Sequence, residues 1–220
     1  MPKEPLFPHV PKKRGPLYPH ENRRGGEVAS SSIDRDRICD FFDMQRTKVD
    51  QLIQGTEHDG HERGFAICQK PSGALRLHMA PVLEWAFPYM VPSTCPKGEE
   101  KVGDFHTHKE QKEGKHRYFS ASDYSLALTE NLKVQCLGYR WKGKNDYHCQ
   151  KVYPELVRPG SPQAINLNAQ EAVLGALTKA LDIEEEVEKG ERPWQDYRNA
   201  LNHFEHIAQE HKVIGGKRNA

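Results

Sequence analysis

Ile38, Phe41, Phe42, Val49, Leu52 and Ile53 recur at three- and four-residue steps, which puts them on one helical face and predicts a helix over residues 33–54. Ser32 is the expected cap and Gly55 the expected stop. The period then changes. Gly64–Gln69 reads as a strand, Lys70-Pro71-Ser72-Gly73 has turn chemistry, and Ala74–Met79 alternates as the returning strand. Val82–Phe87 reads as a further strand, followed by a loop marked by Pro88, Pro92, Pro96 and Gly98. Val102–His106 is a short strand that leads into Lys109–Arg117, a stretch with no aliphatic residue. Ser120 to Glu130 reads as a helix that offers Leu126 and Leu128 to a core. Leu132–Trp141 and Asp146–Tyr153 form a hairpin around Lys142-Gly143-Lys144-Asn145. Asn168–Lys189 is a strong helix, with Val173, Leu174, Leu177, Leu181 and Ile183 apolar, and Gly190 ends it. Arg192-Pro193 opens a last helix to Lys212, with Trp194, Tyr197, Leu201, Phe204 and Ile207 on its inner face. The order is α, several β, α, β-β, α-α, which predicts an α+β fold with a C-terminal two-helix appendage.

Three regions follow from this pattern. Residues 1–32 carry Pro2, Pro5, Pro8, Pro11, Pro16 and Pro19, a density that excludes helix and sheet and predicts a disordered, basic leader. Residues 33–158 are the expected core, and residues 159–214 the expected helical hairpin. The 220-residue chain is 36% hydrophobic and 29% charged, a wet but globular composition, and its net charge of +1 points to no particular partner. No window approaches the ~20 apolar residues of a membrane span, and the N-terminus lacks the apolar core of a secretory signal. The five cysteines, Cys39, Cys68, Cys95, Cys136 and Cys149, are odd in number and form no CxxC pair. They read as reduced thiols in a cytoplasmic protein.

The chemistry concentrates in Gly103-Asp104-Phe105-His106-Thr107-His108 and Ser120-Ala121-Ser122-Asp123. Residues two apart on a strand share a face, so His106 and His108 can aim both imidazoles at one point. Asp123, in the first turn of the following helix, can fold back beside them. Two histidines and a carboxylate are a zinc set that leaves a fourth position open, the catalytic rather than the structural pattern. A hydrolase also needs a base. Glu62, at the start of a strand, is the candidate, with Glu57 as the near alternative and Glu84 and Glu99 more remote. Ser120 can cap its helix or donate to an oxyanion. His116 and His78 read as ordinary polar positions. His148 and Cys149 face opposite ways on a strand and make a poor nucleophilic pair. Glu184-Glu185-Glu186 reads as a solvated helix face, and the aromatic stripe of the last helix as the inside of its hairpin.

At these residues the sequence resembles the JAMM (MPN-plus) metalloprotease family, whose signature is a strand-borne glutamate, then His-x-His, then Ser-x-x-Asp. Glu62, His106-Thr107-His108 and Ser120-Ala121-Ser122-Asp123 look like those elements, and the resemblance covers residues 33–153. The Gly-Asp-Phe-His-Thr-His form is most similar to prokaryotic and archaeal members, some of them in toxin systems. The resemblance implies a mixed α/β sandwich of the cytidine-deaminase-like type. It also implies zinc held by the histidines and aspartate, glutamate as base and serine at the oxyanion. The activity implied is a peptidase or isopeptidase, often on ubiquitin-like proteins. Two features depart from the family. Lys109 stands where most members have proline, and eleven residues separate His108 from Ser120. Both fall in the loop that borders the cleft.

Three functions compete. The first is a zinc metallo-isopeptidase acting on a protein substrate. The second is a non-catalytic MPN-like interaction module that meets a partner or a second copy through the C-terminal helices. The third is a hydrolase of the same fold in a toxin or nucleic-acid-linked system. A membrane partner is not expected. Nucleic acid is disfavoured because the chain shows no interleaving of aromatic and basic residues.

Overall fold

A computed structural model describes residues 34–79, 94–111, 115 and 117–219. The expected leader, the strand expected at Val82–Phe87, Glu84 and His116 lie outside them. The protein has an α+β fold built on one six-stranded mixed sheet and five helices.

The helix expected over 33–54 is two. α1 (Arg35–Asp43) is capped by Asp34, whose side chain accepts from the Asp36 amide, and a turn at Met44 and Gln45 separates it from α2 (Arg46–Asp59). α2 runs past Gly55 and stops at Gly60, which adopts the left-handed conformation that terminates helices at little steric cost (φ 80°). Gly55 serves another purpose: a Cβ there would sit 2.9 Å from the Arg63 guanidinium, which lies across it.

The strands are β1 (Gly64–Gln69), β2 (Leu75–Met79), β3 (Glu100–His108), β4 (Val134–Trp141), β5 (Lys144–Val152) and β6 (Ile214–Asn219). Their order across the sheet is β2-β1-β3-β4-β5-β6. All neighbours are antiparallel except β3 and β4, which run parallel because α3 (Ala121–Thr129) connects them as a crossover. α4 (Leu167–Glu188) and α5 (Trp194–Glu210) complete the fold.

Strand alternation sends side chains to two separate cores. On one face, α1 and α2 bury Ile38, Phe42, Val49 and Ile53 against Phe65, Ile67, Phe105 and Tyr147. On the other, α3, α4 and α5 bury Tyr124, Leu177, Leu201 and Phe204 with Phe119, Leu137 and Tyr139. The result is three layers, with helices on both sides of the sheet. Gly138 lies beneath the first face, where a Cβ would meet the Phe105 ring at 2.7 Å, so glycine is required there.

The two helices expected within residues 159–214 are α4 and α5, which with the unanticipated β6 share one core with α3 and the sheet. One expectation is corrected: the cysteines are not all thiols. Cys68 is bonded to Cys95, and Cys136 to Cys149, while buried Cys39 lies outside both disulfides. Cys136 and Cys149 stand directly opposite each other on antiparallel β4 and β5, with Cα atoms 4.1 Å apart, a pairing that spacing alone cannot reveal.

Candidate metal centre

A β-bulge prepares β3. Ile67 pairs with Gly103 but Cys68 pairs with Lys101, so Val102 is the surplus residue and the alternation shifts by one. Beyond the bulge, Phe105 and Thr107 point to the α1/α2 layer, while Asp104, His106 and His108 share the opposite face. The bulge also brings Lys101 to that face, with Nζ 3.9 Å from Asp104 Oδ2 and bonded to Glu130 Oε2 at the end of α3.

α3 supplies the third ligand group. Ser120 is its cap: Ser120 Oγ accepts from the Asp123 amide at 3.0 Å, and the Ser120 amide donates to Asp123 Oδ2 at 2.7 Å. This reciprocal box fixes the Asp123 carboxylate. Its Oδ1 lies 3.5 Å from His106 Nε2 and its Oδ2 3.8 Å from His108 Nε2. One ligand atom from each of His106, His108 and Asp123 can be chosen so that all lie within 4.8 Å of one another, and this group could hold a metal ion. Bonds of 2.0–2.1 Å in a tetrahedral site place ligand atoms about 3.3–3.4 Å apart; the 3.5 and 3.8 Å separations, which run to the two different carboxylate oxygens, are of that scale. Phe119 walls the site on its inner side, with its ring centroid 6.1 Å from that of His106.

Thr107 points away from this group yet places Glu62. Its amide donates to Arg63 O and its Oγ1 accepts from the Arg63 amide, each at 2.8 Å, and Oγ1 is 2.6 Å from Thr56 Oγ1 on α2. The Arg63 side chain binds Asp59 and the His61 carbonyl. Residue 63 is thus held on both sides, and the half-buried Glu62 carboxylate shares the electrostatic field of His106 and Asp123. Glu57 is committed elsewhere, with Oε1 accepting from the Glu110 amide at 2.8 Å. Glu99 pairs with Arg76 at 2.7 Å.

The electrostatics are those of a buried charge cluster. Burial pushes the Glu62 carboxyl up to about 7, with Asp123 adding to the rise and His106 opposing it. Burial pushes Asp104 up to about 6 against the pull of Lys101 and His106. Burial alone would lower His106, but the Asp123 carboxylate, with Asp104 and Glu62 behind it, outweighs burial and raises the imidazole to about 9. Burial opposes ionisation of Asp123, yet His106, His108 and the Ser120 amide hold it well below the usual carboxylate range.

Comparison with family models, with curated proteins and with solved structures finds no match for this chain. The site is therefore read from its own geometry. Every proposed ligand residue and Glu62 belong to one cluster. Sequence reasoning passed over Asp104, although polar residues at 104, 106 and 108 on a buried strand are a period-2 signal. It also misread Glu184. Far from being solvated, that carboxylate accepts from Ser122 Oγ (2.6 Å) and the Ser122 amide (3.2 Å) through Oε2, and from the Tyr197 hydroxyl (2.6 Å) through Oε1. Tyr197 Oη in turn accepts from the Ala121 amide at 2.8 Å. The C-terminal hairpin thus holds the first turn of the helix that carries Asp123. Nothing in the linear spacing links position 184 to 122.

Proposed function

We propose that this protein is a zinc-dependent hydrolase of peptide or isopeptide bonds acting on a protein substrate, of the kind the JAMM resemblance implies. The observation that carries this reading is the meeting of His106, His108 and Asp123 around one point, beside a carboxyl held near neutrality. His106 and His108 from β3 and Asp123 from α3 would hold the ion. Bound there, zinc would supply Lewis-acid polarisation of the scissile carbonyl and lower the pKa of water at the site. Glu62, with a carboxyl near 7, can accept a proton from the attacking water and return it to the leaving amine at neutral pH. Ser120 Oγ uses a lone pair on the Asp123 amide, and its own hydrogen is not consumed by that bond, so it can donate to a developing oxyanion. A ubiquitin-like conjugate or fusion is the first substrate to test.

The test is zinc reconstitution of the full chain followed by a screen of peptide and isopeptide cleavage. The expected result is about one zinc per chain and hydrolysis that drops roughly 10²–10⁴-fold in Glu62→Gln with zinc retained. A chain that takes up no zinc, or a Glu62→Gln protein with full activity, sinks the reading.

A further inference from the structure

Arg117 and Tyr118, with residues of β4 and α5, build a second feature of the same sheet face. Arg117 lies over the Trp141 ring with its guanidinium carbon 4.2 Å from the centroid, and Lys142 approaches the same ring at 5.7 Å. Arg198 of α5 lies over Tyr118 at 3.6 Å, and Arg117 reaches that ring at 5.8 Å. The order in space is therefore Lys142, Trp141, Arg117, Tyr118, Arg198. Beside it, Lys115 sits 4.7 Å from the Trp194 ring. Two adjacent pairs, Arg117-Tyr118 and Trp141-Lys142, meet here with Arg198 of α5 as alternating cations and aromatics.

This row borders the candidate metal centre. Tyr139 pairs in register with His108, and Trp141 follows two residues later on the same face, a rise of about 7 Å. Phe119, next to Tyr118, touches the metal-site side through His106. Past Trp141 the basic character continues into a cleft lined by Arg46, Lys142 and Lys144. Among the described residues that line it, the carboxylate of Asp146 accepts from the Tyr139 hydroxyl and from the Tyr147 amide, and Arg46 is paired with Asp50 at 3.2 Å.

The geometry points to an acidic polypeptide segment as the occupant of this row, so that the substrate carries clustered Asp or Glu side chains next to the bond it offers to the metal centre. A guanidinium held over an aromatic ring is limited in its rotation before binding; Arg117 Nε and Arg198 Nη1 are buried, and the remaining N–H groups of each can meet a planar carboxylate. The alternative polyanion, single-stranded nucleic acid, needs open ring faces on which bases stack. Here Trp141, Tyr118 and Trp194 each already have a cation over the ring. The row supplies donors rather than stacking platforms, which favours carboxylates. Its relevance to catalysis rests on the hydrolase reading, but binding to it does not.

Fluorescence anisotropy on the full-length, zinc-reconstituted chain tests this with three probes of equal length: labelled decaglutamate, a neutral Gly-Ser peptide and an oligothymidylate. Decaglutamate is expected to bind at least about tenfold more tightly than the neutral peptide, and to weaken as salt rises. Arg117→Ala and Arg198→Ala are expected to loosen it about fivefold or more, Arg117→Lys less so, because charge returns without the planar fork. Lys142→Ala, at an exposed hairpin position, reports on the same row without disturbing the core. Circular dichroism and thermal melting check the fold of each variant. Equal binding of decaglutamate and the neutral peptide overturns the proposal, as does tighter binding of the oligothymidylate. So does unchanged decaglutamate affinity in all the variants. Tight decaglutamate binding by a chain with no hydrolytic activity would sink the hydrolase reading alone, whereas cleavage of neutral substrates without decaglutamate binding would sink this one alone.

Discussion

His106 and Asp123 face each other at 3.5 Å, and without a metal their mutual attraction keeps a proton on the imidazole up to about pH 9. The ordinary histidine value is 6.5, so between these limits the folded state holds a proton that the unfolded chain has lost. The stability this pair contributes is complete between the ordinary aspartate value of 3.8 and the ordinary histidine value of 6.5, fades as pH rises through 9, and is lost again in strong acid where Asp123 takes up its proton. Thermal melts of metal-free protein should show that loss, and His106→Asn should flatten it. Metal must also displace this proton. Zinc uptake at pH 7 is therefore expected to release about one proton, and apparent affinity to climb with pH towards 9. Calorimetric titration in buffers of different ionisation heat measures both. Ser120→Ala should cost about 1 kcal/mol of stability through loss of the Oγ cap on the Asp123 amide, as read by thermal melts. The Ser120 amide that holds Asp123 Oδ2 survives that substitution, so zinc affinity should change little; a large loss of zinc affinity would show that the hydroxyl itself orients the carboxylate.

At the scale of elements, the strands of the hairpin β4–β5 lie close to where the apolar runs and the turn between them placed them, and the helices α3 and α5 close to where their period placed them. What periodicity could not show is where an element meets another. Glu184 read as one of three solvated glutamates because its partners, Ser122 and Tyr197, are supplied by α3 and α5. Glu184→Ala should leave α4 intact while loosening the first turn of α3. The readout is faster amide exchange at Ala121–Asp123 together with weaker zinc binding, and exchange confined to α4 would refute the link. The cysteines failed for a related reason, since register rather than spacing decides which thiols meet. Titration of denatured, unreduced protein should find one thiol of five, that of Cys39. Opening the Cys136–Cys149 loop, a separation of 13 residues, should cost about 3 kcal/mol by chain entropy.

Over the whole described molecule, His106, His108, Asp123 and Glu62 were legible because they sit beside strong local signals: a strand, a helix cap, a turn. The role of the C-terminal region was not. Amphipathic helices declare that they need a partner surface, but not which one, and the short β6 with its two glycines carries little strand signal. In the fold, Phe204 and Leu201 pack in one cluster with Tyr124, the residue after the Asp123 ligand. A chain ending at residue 158 should therefore lose cooperative unfolding and zinc binding together, as followed by circular dichroism and metal analysis. Cooperative melting in that fragment would restore the picture of a core with a separable hairpin.

The surplus residue at Val102 has a consequence for how such a protein can vary. Two-residue periodicity makes the handedness of every side chain downstream depend on a count, not on chemistry. A residue removed at Asp104 or Phe105 would turn both imidazoles into the greasy layer of α1 and α2, even though His106 and His108 themselves were kept. A conservative exchange at either of those two positions would leave the imidazoles on their face, so this stretch should tolerate such an altered letter more readily than an altered length.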